Sequence, residues 1–487
     1  MAEKMLRFVT LPQAMPEKRA AGQRRQDFTE IYATYARDKA QEQAARCSQC
    51  GVPFCQVHCP LGNNIPDWLR MTAEGRLEEA FELAQATNNM PEICGRICPQ
   101  DRLCEGHCVI EKDFEAVTIG AVEKFITDHA FEQGWVKPVR PARELPLSAG
   151  IIGAGPAGLA AAEELRRRGY QVHVYDRYDR MGGLLVYGIP SFKLDKAVVE
   201  RRIRLLAAGG VIFHPGFEVG RDASLADLRA RHDAILIATG VYRARDIDLP
   251  GAGFGGIIAA LPYLTAANRI GLGDRVPEHE SGLLDARGKR VVVIGGGDTA
   301  MDCVRTAVRQ GADSVTCLYR RDRANMPGSA REVRHAEEEG VVFTWLTAPQ
   351  AFLGRGRGRG QKITCVEAVP MRLAAPGPGG RAGVAAIPGA SLHIEADLVI
   401  KALGFDAEDL PLLFGEPGLT VRADGTISVR PETGATSLEG VFAAGDIRRG
   451  ASLVVWAIRD GREAAAAMHR YLAARAAAQA LPLAAAS

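Results

Sequence analysis

Eleven cysteines occur in the 487 residues, and eight of them fall between Cys47 and Cys108. They read Cys47-x2-Cys50-x4-Cys55-x3-Cys59-Pro60, then Cys94-x3-Cys98-Pro99, then Cys104-x3-Cys108. Thiols so clustered can close disulfides or hold metal. The N-terminus, MAEKMLRFVTLPQAMPEKR, lacks the uninterrupted apolar core of a signal peptide, so a cytoplasmic chain with reduced thiols is expected and ligation is the better reading. A 4Fe–4S cluster takes four thiolates, and eight match two clusters without remainder. Zinc is the rival, because paired C-x(2–4)-C knuckles also supply four thiolates. The first run packs four cysteines into thirteen residues, closer to a ferredoxin spacing than to two separated knuckles. His58 and His107 stand next to cysteines and could replace a ligand; with eight thiols present, both are expected beside the ligands rather than among them.

Within a ferredoxin-type run the last cysteine serves the other cluster, because the short spacer points it away. On that logic Cys47, Cys50, Cys55 and Cys108 form one set, and Cys59, Cys94, Cys98 and Cys104 the other. Two Gly-rich turns later in the chain offer a source of electrons. Gly153, Gly155 and Gly158 form G-x-G-x-x-G after an apolar strand and before an Ala-rich helix, the arrangement that seats a pyrophosphate on a helix N-terminus. Asp176 ends the next strand, in place to accept a ribose hydroxyl. The second turn carries Gly295, Gly297, Asp298 and Ala300 after VVVIG. Aligning SVTCLYRR with QVHVYDR puts Tyr319 where Asp176 stands, followed by Arg320 and Arg321. An acid there repels a 2′-phosphate, whereas guanidinium groups bind it, so the second turn is expected to prefer NADPH to NADH. The bland alternative is a solvated turn.

The elements that must position these residues fall into two styles. Residues 1–145 are polar and helix-forming, with apolar residues at helical spacing in DFTEIYATYARDKAQEQAARC and IPDWLRMTAEGRLEEAFELAQAT. No alternating strand pattern precedes Pro141, which predicts an all-α domain around the cysteines. After the Pro-rich linker KPVRPARELP the chain turns α/β, with two strand–turn–helix–strand units about 142 residues apart. AILIATG, ending at Thr239 and Gly240, and LVIKALG bracket the second unit, and TSLEGVFAAGDIRRG supplies a strand ending at Gly445-Asp446. Gly182-Gly183, in MGGLLVYGIPSFKLD, is expected to let backbone approach a cofactor. LGRGRGRGQK reads as a hairpin loop, with a basic patch as the alternative. The Ala-rich tail after Gly461 reads as a surface helix. Cys303 and Cys317 read as buried filler. Sixty Lys+Arg against 58 Asp+Glu argue against nucleic-acid or membrane-surface partners. No apolar run approaches the roughly 18–20 residues of a membrane span.

Together these pieces look like the two-dinucleotide-binding flavoprotein fold of the glutathione and thioredoxin reductases. That resemblance implies FAD on the first turn and Asp446, after Gly445, on its ribityl chain. It also implies an NADPH domain inserted into a discontinuous flavin domain. The expected division is a helical iron–sulfur domain (1–145), an FAD domain in two parts (146–284 and 405–487), and an NADPH domain (285–404). Gly183, Thr239 and Gly240 join the flavin candidates. One departure is decisive: beyond Cys108 no two cysteines lie within ten residues, so the redox-active pair of a disulfide reductase is missing. Across nearly its whole length the chain resembles the small (beta) subunit of bacterial NADPH-dependent glutamate synthases, on CSQCGVPFCQVHCPLGNNIPDW, ICGRICPQDRLCEGHCVIEK, GGGDTAMDCVRTA and GASLVVWAIRDGREAA among other segments. The resemblance implies electron delivery to a large FMN-containing subunit that makes glutamate from 2-oxoglutarate and glutamine. The same module is similar to the electron-entry half of dihydropyrimidine dehydrogenase. A stand-alone NADPH:ferredoxin-type oxidoreductase is therefore the alternative, and a non-catalytic redox-sensing scaffold is a third reading.

Overall fold

A computed structural model describes residues 4–356, 361–376 and 382–484. As far as Glu132 its longer elements are helices: Arg37–Ala44, Ile65–Ala73, Leu77–Thr87, Pro91–Ile97 and Ile119–Glu132. Their apolar faces close around Trp68, Phe81, Val122 and Ile126, which gives the cysteine-bearing part its own core. One helix expectation is corrected. Residues 27–36 are not helical; they form an arm in which Tyr32 bridges Lys18, and the Tyr35 hydroxyl donates to Thr118 Oγ1 at 3.0 Å. Buried tyrosine hydroxyls need partners, and finding them outweighs local helix preference. The stretch from Ile65 is helical as expected, in two helices that Gly75 separates at φ +80°.

Beyond the linker, two parallel five-stranded sheets repeat one plan. The first runs Val441–Ala443, Ala234–Ile237, Ser148–Ile152, Gln171–Asp176, Val211–Pro215. The second runs Ile257–Ala259, Leu398–Lys401, Arg290–Ile294, Ser314–Leu318, Val342–Thr344. Their central strands are continuous apolar runs, as parallel sheets covered on both faces require. The chain passes between the sheets at Arg243–Ala244 and returns at Phe405–Asp406, and these two segments pair antiparallel. Ile257–Ala259 and the helix Ala260–Gly271 thus join the second sheet, not the flavin segment that the expected boundary at 284 assigns them to. A three-residue edge strand without a Gly-rich turn carries no signal of its own. An antiparallel pair, Thr347–Arg355 with Lys362–Pro376, flanks the Gly/Arg-rich turn, whose residues 357–360 lie outside the described residues.

The Ala-rich tail is corrected as well. It continues a helix, Val454–Ala484, that packs along Pro156–Arg167 and buries Ala464, Ala465, Met468 and Leu472 in the core of the first sheet. Small side chains are what permit the approach. A Cβ at Gly461 would stand 2.1 Å from the Ala157 carbonyl oxygen. Among the described residues no helix is long and apolar enough to cross a membrane.

Candidate functional site

The two Gly-rich turns superpose in their bonding. Gly153 N–H donates to Tyr175 O and Gly295 N–H to Leu318 O, so Tyr319 occupies the place of Asp176 and Arg320 and Arg321 follow it. Tyr319 is buried, its ring fills the space a side chain at Gly296 would need, and its hydroxyl donates to Asn325 O at 2.9 Å. Arg320 is exposed at the strand's end and Arg321 half-buried. In the first turn the Asp176 carboxylate accepts from Ala154 N at 2.7 Å and Tyr178 N at 2.9 Å, and burial raises its pKa. The middle glycines differ from their neighbours. A Cβ at Gly155 or Gly297 meets no atom within 4 Å, whereas one at Gly158 would strike the Gly153 carbonyl oxygen at 2.0 Å. Space at the middle position and close packing at the third are what a pyrophosphate-binding turn demands. Ala300 takes the third place in the second turn and is fully buried.

One cavity brings the separate sequence signals together. Gly153, Gly155, Asp176, Thr239, Gly240, Gly445 and Asp446 line it from the first sheet, Asp298 from the second turn, and Cys98 from the cysteine-bearing part. Asp446 opens the short helix Asp446–Arg449; burial pushes its carboxyl up to about 6 even though Ser452 Oγ donates to it at 2.9 Å. Gly183, at φ +54°, brings its turn against the first one, within 3.0 Å of Gly155 Cα for an added Cβ. Beneath that turn the Lys196 ammonium donates to the Leu185 carbonyl at 2.9 Å and to that of Ile189, and burial pulls it down to about 7.

Sequence reasoning missed several cavity residues. Lys193 pairs with Asp302 at 2.9 Å across the two sheets' domains, and burial holds Asp302 up at about 6 despite the pair. Asp302 lies one helical turn after Asp298, a spacing that could have flagged it. Tyr178 and Tyr242 line a second cavity beside Asp176, with the Arg177 guanidinium 4.7 Å from the Tyr242 ring. Tyr178, two residues past Asp176, was legible as an aromatic on the same side of the strand end; Tyr242 was not.

No disulfide joins any of the eight N-terminal cysteines. Burial pushes Cys47 up to about 11 and Cys55 to about 12, and Cys50 and Cys108 push both further the same way. Burial likewise raises Cys59 to about 11, with Cys94 adding to it. Cys98 is raised by its hydrogen bond with Cys94 and by burial, and Cys104 by burial first, then by Glu105 and Cys59, with Cys55 weaker. The charge effects among these thiols run within Cys47, Cys50, Cys55 and Cys108 and within Cys59, Cys94, Cys98 and Cys104, with Cys55 acting also on Cys104. Burying so many thiols opposes thiolate formation, and a cationic iron cluster would reverse that. Among the described residues no three His, Cys, Asp or Glu side chains converge on a single metal ion. His58 and His107 stack on each other at 3.5 Å, each with Nδ1 on the carbonyl four residues before it, at 2.9 Å and 2.7 Å.

Known proteins carry the same combination. Residues 24–135 match the family described as dihydropyrimidine dehydrogenase domain II, 4Fe-4S cluster, and residues 148–461 match pyridine nucleotide-disulphide oxidoreductase. The chain is 66% identical over 475 residues to the glutamate synthase (NADPH) small chain of Azospirillum brasilense, covering 97% of this chain and 98% of that one. To the corresponding small chain of Escherichia coli (strain K12) it is 43% identical over 478 residues, covering 97% and 100%. Among solved structures, Mycobacterium tuberculosis FprA in complex with NADPH shares the fold at a TM-score of 0.57, with 19% identity over 69% of this chain and 86% of that chain. The chain belongs to the family of NADPH-type glutamate synthase small chains.

Proposed function

We propose that this chain is the electron-entry subunit of a cytoplasmic glutamate synthase, an NADPH-dependent oxidoreductase carrying FAD, two 4Fe–4S clusters and a site for NADPH. When bound, those groups supply hydride transfer from nicotinamide to flavin and one-electron transfer onward. The chain's residues supply position. Gly153, Gly155 and Gly158 seat the FAD pyrophosphate, Asp176 its ribose and Asp446 its ribityl chain, with Gly183, Thr239, Gly240 and Gly445 giving the backbone room. Gly295, Gly297, Asp298 and Ala300 seat NADPH, and Arg320 and Arg321 take its 2′-phosphate. No side chain acts as acid, base or nucleophile.

The observation that carries this reading is the shared cavity, lined at once by the first turn, by Asp446, by Asp298 and by Cys98. Cys98 belongs with Cys59, Cys94 and Cys104, so that set holds the cluster on the flavin side. Cys47, Cys50, Cys55 and Cys108 hold the outer one. Around the outer set Val52, Phe54, Val57 and Val109 are exposed. An apolar face beside the electron exit suits the large FMN-containing subunit, where 2-oxoglutarate and glutamine become glutamate. Anaerobic titration of the complex with NADPH tests the whole reading. Flavin absorbance should bleach, reduced-cluster resonances should follow, and metal analysis should find about eight irons per chain. A flavin that NADPH leaves oxidised, or zinc in place of iron, refutes it.

A further inference from the structure

The segment between Cys98 and Cys104 does more than carry thiols. Its residues grip the loop 327–331 of the second sheet's domain. The Asp101 carboxylate accepts from Ser329 Oγ at 3.1 Å with one oxygen and from Ala330 N–H at 3.1 Å with the other. Arg102 donates to Pro327 O, Gln100 accepts from Arg331 at 3.1 Å, and Glu105 pairs with Arg331 at 2.6 Å. On its far side the same loop is tied to the second Gly-rich turn. Ser329 N–H donates to Asp298 Oδ1 at 3.0 Å, and Gly328 N–H to Gly296 O at 2.9 Å.

Ser329 precedes the helix Ala330–Glu338 and makes no side-chain cap of its own. A helix N-terminus leaves backbone N–H groups unpaired, and a carboxylate satisfies them and complements the dipole. Here that carboxylate comes from a residue more than two hundred positions away in another domain. The segment is shaped to hold it there, since a Cβ at Gly106 would stand 2.1 Å from the Asp101 carbonyl oxygen.

We propose that Asp101 is a positioning residue for the dinucleotide site. From the cysteine-bearing segment it caps the helix Ala330–Glu338 in trans and, through Ser329, holds Asp298 at the second turn, so that nucleotide affinity depends on the seating of the cysteine domain. The proposal rests on the assignment of NADPH to the second turn. By linkage the dependence is reciprocal: a filled nucleotide site steadies the segment that bears Cys98 and Cys104.

NADP+ binding to the purified full-length protein, measured by calorimetry alongside iron and flavin content, tests it. Asp101→Ala should weaken NADP+ binding about tenfold, with iron and flavin at wild-type levels and the KM for NADPH rising far more than kcat falls. Asp101→Asn keeps one acceptor oxygen and should lose less. Ser329→Ala removes the Oγ contact from the other side, leaving that of Ala330 N–H, without touching the cysteine segment; it should shift affinity in the same direction by less, and the double variant should fall short of the sum. Wild-type affinity in both Asp101→Ala and Ser329→Ala overturns the proposal. So does affinity lost only together with iron in Asp101→Ala, with Ser329→Ala unchanged, which would make Asp101 a support of the cysteine segment alone. If the wild-type protein itself fails to bind NADP+, the assignment of the second turn falls, and this proposal with it.

Discussion

Tyr319 and Asp176 occupy equivalent positions in two copies of one unit, and the difference between them sets what each copy can hold. A carboxylate accepts ribose hydroxyls and repels a 2′-phosphate; the second copy withdraws the acid and follows the position with Arg320 and Arg321. Charge-assisted hydrogen bonds contribute about 1.5–3 kcal/mol each. Replacing either arginine by alanine should therefore raise the KM for NADPH by about tenfold to a hundredfold and leave that for NADH within about twofold. Equal effects on the two in steady-state kinetics would refute the 2′-phosphate assignment. Asp446 is a half-buried carboxyl that accepts from Ser452 and lines the cavity with acceptor capacity to spare. Asp446→Ala should lower the FAD content of the purified protein, read from its absorbance ratio, and a fully flavin-loaded variant would argue against that role.

At the scale of elements, the outer edge of the first sheet has a chemistry of its own. His173 and His214, on neighbouring strands, stack at 5.3 Å with Nδ1 and Nε2 3.0 Å apart, and His232 lies 5.0 Å from His173 with Nε2 on the Tyr175 hydroxyl at 2.9 Å. Burial pushes all three rings down, His232 to about 4, and their mutual proximity adds to it for His214 and His232. The folded state thus binds fewer protons than the unfolded chain, whose histidines titrate near 6.5. Stability is intact above that pH and is lost progressively as pH falls toward about 4. The urea midpoint should drop between pH 7 and pH 5, and His173→Gln with His214→Gln should flatten that dependence. An unchanged slope would mean that other groups govern it.

For the whole molecule, what matters is how the cysteine domain is joined to the first sheet's domain. Glu92, of the helix before Cys98, forms a two-pronged buried pair with Arg202 of the first sheet's domain, at 2.7 and 2.8 Å. Breaking such a pair leaves an unpaired buried charge, which is why it holds this face of the cysteine domain in register with the cavity. On the proposed reading, the cysteine set on that face lies between the flavin and the outer set. Cys50→Ser, in the outer set, should consequently leave part of the NADPH-to-dye activity and abolish transfer to the large subunit. Loss of both activities together, with a lowered thermal midpoint, would mean that the outer cluster also holds the fold.

The thiol spacing, the two Gly-rich turns and the exchange of Asp176 for Tyr319, Arg320 and Arg321 are local patterns, and the chain's own residues determined them: the fold class, the candidate cofactor types and the absence of a disulfide-reductase pair beyond Cys108 all followed. What local pattern could not carry is anything decided by packing between distant segments. The short strand Ile257–Ala259 has no meaning until Leu398–Lys401 lies beside it. The alanines of the tail look solvent-facing until Gly461 lets them reach Pro156–Arg167. Lys193 meets Asp302, and Asp101 meets Ser329, only because two domains are pressed together. Sequence periodicity reports the contacts a segment makes within itself; the cavity that joins Cys98, Gly155, Asp446 and Asp298 is made of contacts between segments, and only the tertiary structure decided those.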